Sequence, residues 1–155
     1  MLSSLKLVDI VEQNAEEVAK QWVKEVRKNP RTPGYHGLPE EALVSQAMIF
    51  YQSFRTLLMG KKASEEAYTF FSKYAEERYG QGITLHEAIY ALVLMRRHMW
   101  IYADLQANFV SVVEHQQAIE SISRTILLFD YASYMITQRY MELLQNDIDR
   151  KLGKR

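Results

Sequence analysis

The stretch that most constrains this chain is residues 83–108, ITLHEAIYALVLMRRHMWIYADLQAN. Thr84, with Glu87 three residues later, spells a capping box, so a helix starts here. Leu85, Ala88, Ile89, Leu92, Met95, Met99 and Ala103 recur at helical spacing along one face. Ala91, Val93, Leu94 and Ile101 make the other side apolar too. A helix apolar all round has to be surrounded by protein, so the rest of the chain must wrap it. Arg96, Arg97 and His98 are set into this run, and by helical angle Arg96 shares the face of Leu92 and Met99.

The wrapping segments read as helices as well. Val8, Val11, Ala15, Val18, Trp22 and Val26 form one stripe, with Ser4 or Asp9 as its N-cap. Asn29-Pro30 ends that helix. Residues 30–38, PRTPGYHGL, form the long irregular segment, with Tyr35 and His36 at its tip. It reads as a connector, with a ligand-side loop as the alternative. Pro39-Glu40-Glu41 opens a second helix, carrying Val44, Ala47, Met48, Tyr51, Phe54 and Leu58, and Gly60 ends it. A third, capped at Ser64 with Glu65 and Glu66 in its first turn, carries Ala67, Phe70, Phe71, Tyr74, Ala75 and Arg78 and stops at Gly80-Gln81-Gly82. The last runs from about Glu114 to about Leu152. Its near-heptad positions Ile119, Ile122, Ile126, Phe129, Ile136, Tyr140 and Leu143 suit packing against a neighbour, and its polar final turns would project past the bundle. These patterns predict one all-α domain over residues 1–155. It is a bundle of about five main helices, globin-like or up-down, with a long C-terminal helix. A short joint near 109–115 makes the last two helices antiparallel, which sets Arg96 level with Asp130. A buried Arg96–Asp130 ion pair is expected, with Glu76 or Glu77 as the fallback partner of Arg96.

Composition removes several classes. The 155 residues carry 19 basic and 19 acidic side chains, so the basic excess of a nucleic-acid binder is missing. With no Cys, disulfides, thiolate catalysis and Cys-based zinc sites are excluded. Asp9 and Glu12 interrupt the first residues before any long apolar run, so they do not read as a signal peptide. No window is long and uncharged enough for a membrane span. The expectation is a cytoplasmic protein.

Little in the sequence spells a reaction. There is no Gly-x-Ser-x-Gly and no phosphate-cradling glycine loop. Gly80-Gln81-Gly82 leads into a helix N-terminus, where an anion can sit, but with no strand before it the segment reads as a connector between helices. Of His36, His86, His98 and His115, no two stand four apart, so no metal site is expected. His98 remains a single candidate ligand for haem or another tetrapyrrole in a globin-like sensor. Arg96, with Tyr74, Arg78 and Trp100 lining the same space, is the candidate site for an anionic ligand, since guanidinium forks onto carboxylate and phosphate. The competing reading makes these side chains structural.

The segment Ala75-Glu-Glu-Arg78-Tyr-Gly-Gln-Gly82-Ile-Thr-Leu85, followed by Ala88, Leu92, Arg96 and Trp100, resembles the helical N-terminal sensory domain called RsbRD N-terminal-like. Trp22 and the Pro-rich gap after it resemble that family's opening. The resemblance implies a non-enzymatic signal-input domain of bacterial signalling proteins, generally without haem and often a homodimer. Such a domain stands before a STAS, histidine kinase or transcription-regulator module, although this chain ends at Arg155 without one. It would sense a ligand or partner and transmit through its C-terminal helix to a signalling partner. A dimerisation or adaptor module is the remaining alternative.

Overall fold

In the computed structural model, which describes residues 2–106 and 112–153, helices account for nearly the whole chain and no strand occurs among those residues. Seven α-helices follow one another: α1 (Leu2–Gln13), α2 (Ala15–Val26), α3 (Glu40–Gln52), α4 (Phe54–Met59), α5 (Ala63–Gly80), α6 (Leu85–Gln106) and α7 (Val112–Gly153), with a 3-10 turn at Pro33–Tyr35. This is the expected all-α bundle with a long last helix. Two of the five expected helices are each bent into two. At Asn14 the side-chain amide donates to the Ile10 carbonyl (2.8 Å) and accepts from the Tyr102 hydroxyl (3.0 Å), so a polar side chain competes with the helix ladder there. At Ser53 the backbone N–H is shared between the Ile49 and Phe50 carbonyls (3.0 and 3.1 Å), which tightens the turn. Of the joint expected near 109–115, residues 112–115 already belong to α7, and 109–111 lie outside the described residues.

Two expected caps move. Asp9 is inside α1, and its carboxylate pairs with Arg55 of α4 (2.5 Å), which Glu12 also holds (2.9 Å). Ser64 lies within the first turn of α5, with Lys62 in the cap position, while Glu65 and Glu66 occupy that turn as expected. The end of α5 is a Schellman motif: Gly82 N–H bonds the Tyr79 carbonyl and Ile83 N–H the Arg78 carbonyl (3.0 and 3.1 Å). Gly82 has φ 76°, a conformation glycine adopts without a Cβ penalty.

The central helix is α6, which packs along α1, α2, α5 and α7 and is also reached by a side chain of α3. Ala88, Ala91, Leu92, Leu94, Met95 and Met99 are buried. Three neighbours grip its backbone through aromatic side chains. Trp22 of α2 donates its indole N–H to the Ala91 carbonyl (2.9 Å), Tyr51 of α3 its hydroxyl to Met95 (2.9 Å), and Tyr74 of α5 its hydroxyl to Ala88 (3.0 Å). A carbonyl has two lone pairs, so each accepts these bonds beside its helical one.

The connector after α2 is docked rather than open. Tyr35, expected at its tip, is fully buried, edge-on to Trp22 with centroids 6.1 Å apart. The Gly34 N–H donates to a carboxylate oxygen of Glu87 (2.6 Å), and the Thr84 hydroxyl donates to the other (2.7 Å). The expected capping pair is therefore also the anchor of the connector. Burial pushes the Glu87 carboxyl upward, but the bonds from Gly34 and Thr84 outweigh it and hold the group below the usual carboxylate range. A depressed folded pKa contributes stability that is present above the unfolded value, about 4.3, and is lost as pH falls through the folded one. Glu87→Gln is expected to cost about 1–3 kcal/mol at pH 7, with the gap to the parent closing in acid. Thermal unfolding of both proteins at pH 7 and pH 3 checks this; an equal gap at both would show that the charge plays no part.

The inner side of α7 buries Phe129, Ala132, Met135, Ile136 and Tyr140. Of the expected seam, Phe129, Ile136 and Tyr140 are core, whereas Ile126 is exposed and Leu143 half-buried. The side chains of Ala103, Ile119 and Ile122 lie outside the described ones.

Candidate functional site

Arg78 stands on the buried stripe of α5, four residues after Tyr74, and is 1% exposed. Its guanidinium lies over the Tyr74 ring, 5.1 Å from the centroid. One Nη2 contact reaches Glu77, at 3.4 Å, and Glu77 is itself 42% exposed. The Nε–H is buried and has no hydrogen-bond acceptor. A cavity of about 120 Å³ lies beside it, lined by Gln46 and Ile49 of α3, Met95 of α6, and Tyr74, Glu77 and Arg78 of α5. Gln46 Oε1 is also buried without a partner. Two lining residues each keep a buried polar atom without a partner, which favours a polar guest, because each atom otherwise carries its full desolvation cost.

Tyrosines surround the guanidinium. The Tyr35 and Tyr74 hydroxyls are 3.5 Å apart, and Tyr140 donates to the Ile83 carbonyl (3.0 Å). Burial pushes all three phenols above their ordinary pKa, and the Arg78 charge only partly offsets it. They therefore stay protonated and serve as donors. On the rim, Lys73 is exposed and sits 4.0 Å from Glu77. The lining thus presents one buried cation with Lys73 at its edge, the Gln46 amide and one half-solvated carboxylate. That suits a compact anion with a few acceptor oxygens.

The four residues expected to share a ligand space divide in two. Tyr74 and Arg78 line the cavity; Arg96 and Trp100 do not. Arg96 instead lies over the rings of Trp100 (5.5 Å) and Phe129 (6.0 Å). The expected Arg96–Asp130 pair is absent, and Asp130 is exposed. The antiparallel level was right to within one residue. One residue on a helix is a turn of about 100°, enough to carry Asp130 off to solvent and put the Phe129 face under the cation. The fallback partners are engaged elsewhere, Glu76 with Arg139 (2.8 Å) and Glu77 with Arg78. Trp100 is half-buried, and its indole N–H has no partner. His98 is half-buried, and burial lowers its pKa, with Glu25 and Lys28 of the α2 end and Arg97 as its charged neighbours. It is not among the residues lining the Arg78 cavity. Among the described residues no group of three or more His, Asp or Glu is placed to hold a metal ion, and no helix is long and apolar enough to cross a membrane.

The sequence reading missed Gln46, Ile49, Phe70, Lys73, Glu77 and Met95 as cavity residues. Gln46 carried a signal: it is a polar residue three positions after Leu43 and four before Phe50, both buried. No protein-family model, curated protein or solved structure matches this chain.

Proposed function

We propose that this chain is a non-enzymatic signal-input domain that takes a small anion beside Arg78 and reports its presence along α7. The observation that carries this is a buried guanidinium that borders a cavity and whose Nε–H has no acceptor. Reporting requires a ligand to favour one packing over another. The path is short, because α5, which bears Arg78, packs chiefly along α7. Arg139 of α7 holds Glu76 of α5 (2.8 Å), and Tyr79 of α5 bonds Asp147 of α7. The resemblance to RsbRD N-terminal-like domains supports the same role, that of a bacterial, cytoplasmic regulator acting on an output module or signalling partner. A cavity of about 120 Å³ is well below the size that drug-like ligands occupy. It matches a few water volumes, and so an anion of the size of formate or acetate.

The test is native mass spectrometry beside the denatured mass, followed by titration of isotope-labelled protein with formate, acetate and phosphate. An added mass lost on denaturation, or saturable shifts of the Arg78 Nε–H and Gln46 side-chain signals that Arg78→Met removes, is the expected result. No added mass and no shift with any of the three anions would end the ligand-sensing role. A second reading, a dimerisation or adaptor module with no ligand, is favoured by the exposed apolar residues of α7.

A further inference from the structure

Beyond the buried face of α7 runs a second stripe that stays exposed among the described residues. Positions 127, 131, 134, 138, 141, 145, 148 and 152 are all exposed, and they are spaced alternately by four and three. That is an unbroken a/d heptad pattern over about 37 Å of helix. Scattered apolar side chains are ordinary on a surface, but a continuous stripe marks an interaction site. At its middle, Tyr134, Gln138, Met141 and Gln145 edge a groove. The rings of Tyr131 and Tyr134 stack 6.5 Å apart with 13° between planes, already ordered as one platform.

We propose that two copies of this chain pair through this stripe as an antiparallel coiled coil centred between residues 139 and 140. The stripe is a palindrome about that point. Antiparallel pairing sets Leu127 against Leu152 of the second copy and Tyr131 against its Ile148, so the outer layers are apolar. Tyr134 meets Gln145, where hydroxyl and amide can hydrogen-bond, and Gln138 meets Met141, so the mixed layers fall in the middle. On the flank of the same register, Asp130 lies opposite Lys151. Both are exposed, and neither has an ion-pair partner among the described residues. The competing registers lose these matches. Sliding by one heptad leaves two positions of each stripe unmatched and separates Asp130 from Lys151. Parallel pairing sets Asp130 across from Met135, which the protomer's own core buries, and so leaves it without a cation. Specificity here comes from what the wrong registers forfeit. The pairing needs no ligand at Arg78, so the anion titration and the experiment below fail separately.

The native chain has no Cys, which makes cross-linking unambiguous. Leu127→Cys and Leu152→Cys proteins are prepared reduced, equilibrated alone or as an equal mixture, and then oxidised, with sedimentation equilibrium of the parent alongside. The expected result is a dimeric parent, disulfide dimers from the mixture, and few from either variant alone, since like positions lie far apart in the antiparallel pair. Asp130→Lys should weaken the dimer, and adding Lys151→Asp should restore it. A monomer at every concentration overturns the proposal, and so does cross-linking of either variant with itself at the efficiency of the mixture. Failure of the charge reversal to be rescued overturns the register.

Discussion

Trp22→Ala lowers the free energy of unfolding by about 3–5 kcal/mol, as full truncation of a buried aromatic does. Trp22 is 1% exposed, and it does three things at once. It fills the space between α2 and α6, it presents the face against which Tyr35 packs edge-on, and its indole N–H holds the Ala91 carbonyl. At roughly 2–4 °C per kcal/mol for a chain of this size, the melting point falls far enough to read without ambiguity. Trp22→Phe separates the parts. It keeps most of the volume and loses the hydrogen bond, so about 1 kcal/mol is expected. The connector loosens in Trp22→Ala but not in Trp22→Phe, because Tyr35 loses its ring partner only in the first. Limited proteolysis between residues 30 and 38 reports that directly. A cost below about 1 kcal/mol for Trp22→Ala would mean that α6 is not held by this contact.

The stripe along α1 and α2 shows why some of this was legible in the sequence. Val8, Val11, Ala15, Val18, Trp22 and Val26 are all buried, because polar residues bound the stripe on both sides and fix its angle. In α3 and α4 the bounds are missing. Val44, Met48 and Leu58 were expected inside, yet Leu43, Phe50 and Leu57 are the more deeply buried. Both faces there are apolar, so only the partner helices decide the rotation. Tyr35 was beyond periodicity altogether, since it sits in an irregular segment between Gly34 and His36 and is placed by Trp22 and by Glu87, far along the chain.

The site divides in the same way. Arg78 was legible as a charge on an otherwise apolar stripe, since helical spacing from Tyr74 and Ala75 leaves it no route to solvent. Arg96 carried the same signal and ends elsewhere, because an aromatic pair, Trp100 and Phe129, can receive a half-buried cation without a carboxylate. Sequence spacing tells which charges face inward. Only the packing tells which of them are left without an acceptor.

Arg78→Met therefore distinguishes a functional cation from a structural one. If the guanidinium served the fold, its loss would cost several kcal/mol, as breaking a buried pair does. Here the pair is unequal. Glu77 is 42% exposed and rehydrates when its partner goes, while Arg78 carries the burial and leaves Nε–H unpaired. Methionine has a similar length, no charge, and the flexibility to fill the wall. The expected result is a gain of about 1–2 kcal/mol, within the range seen when buried ion pairs are replaced by apolar side chains, together with loss of any response to formate or acetate. Glu77→Gln should move the other way, since it strands the buried charge. Its cost is held to about 1 kcal/mol by the solvent already reaching that carboxylate. Chemical denaturation of the three proteins, with and without the anion, gives both readings at once. A loss above about 2 kcal/mol for Arg78→Met would make Arg78 a strut of the fold. A gain would mean that the chain gives up stability to keep a cation beside an open cavity, the trade-off expected where activity depends on the less stable residue.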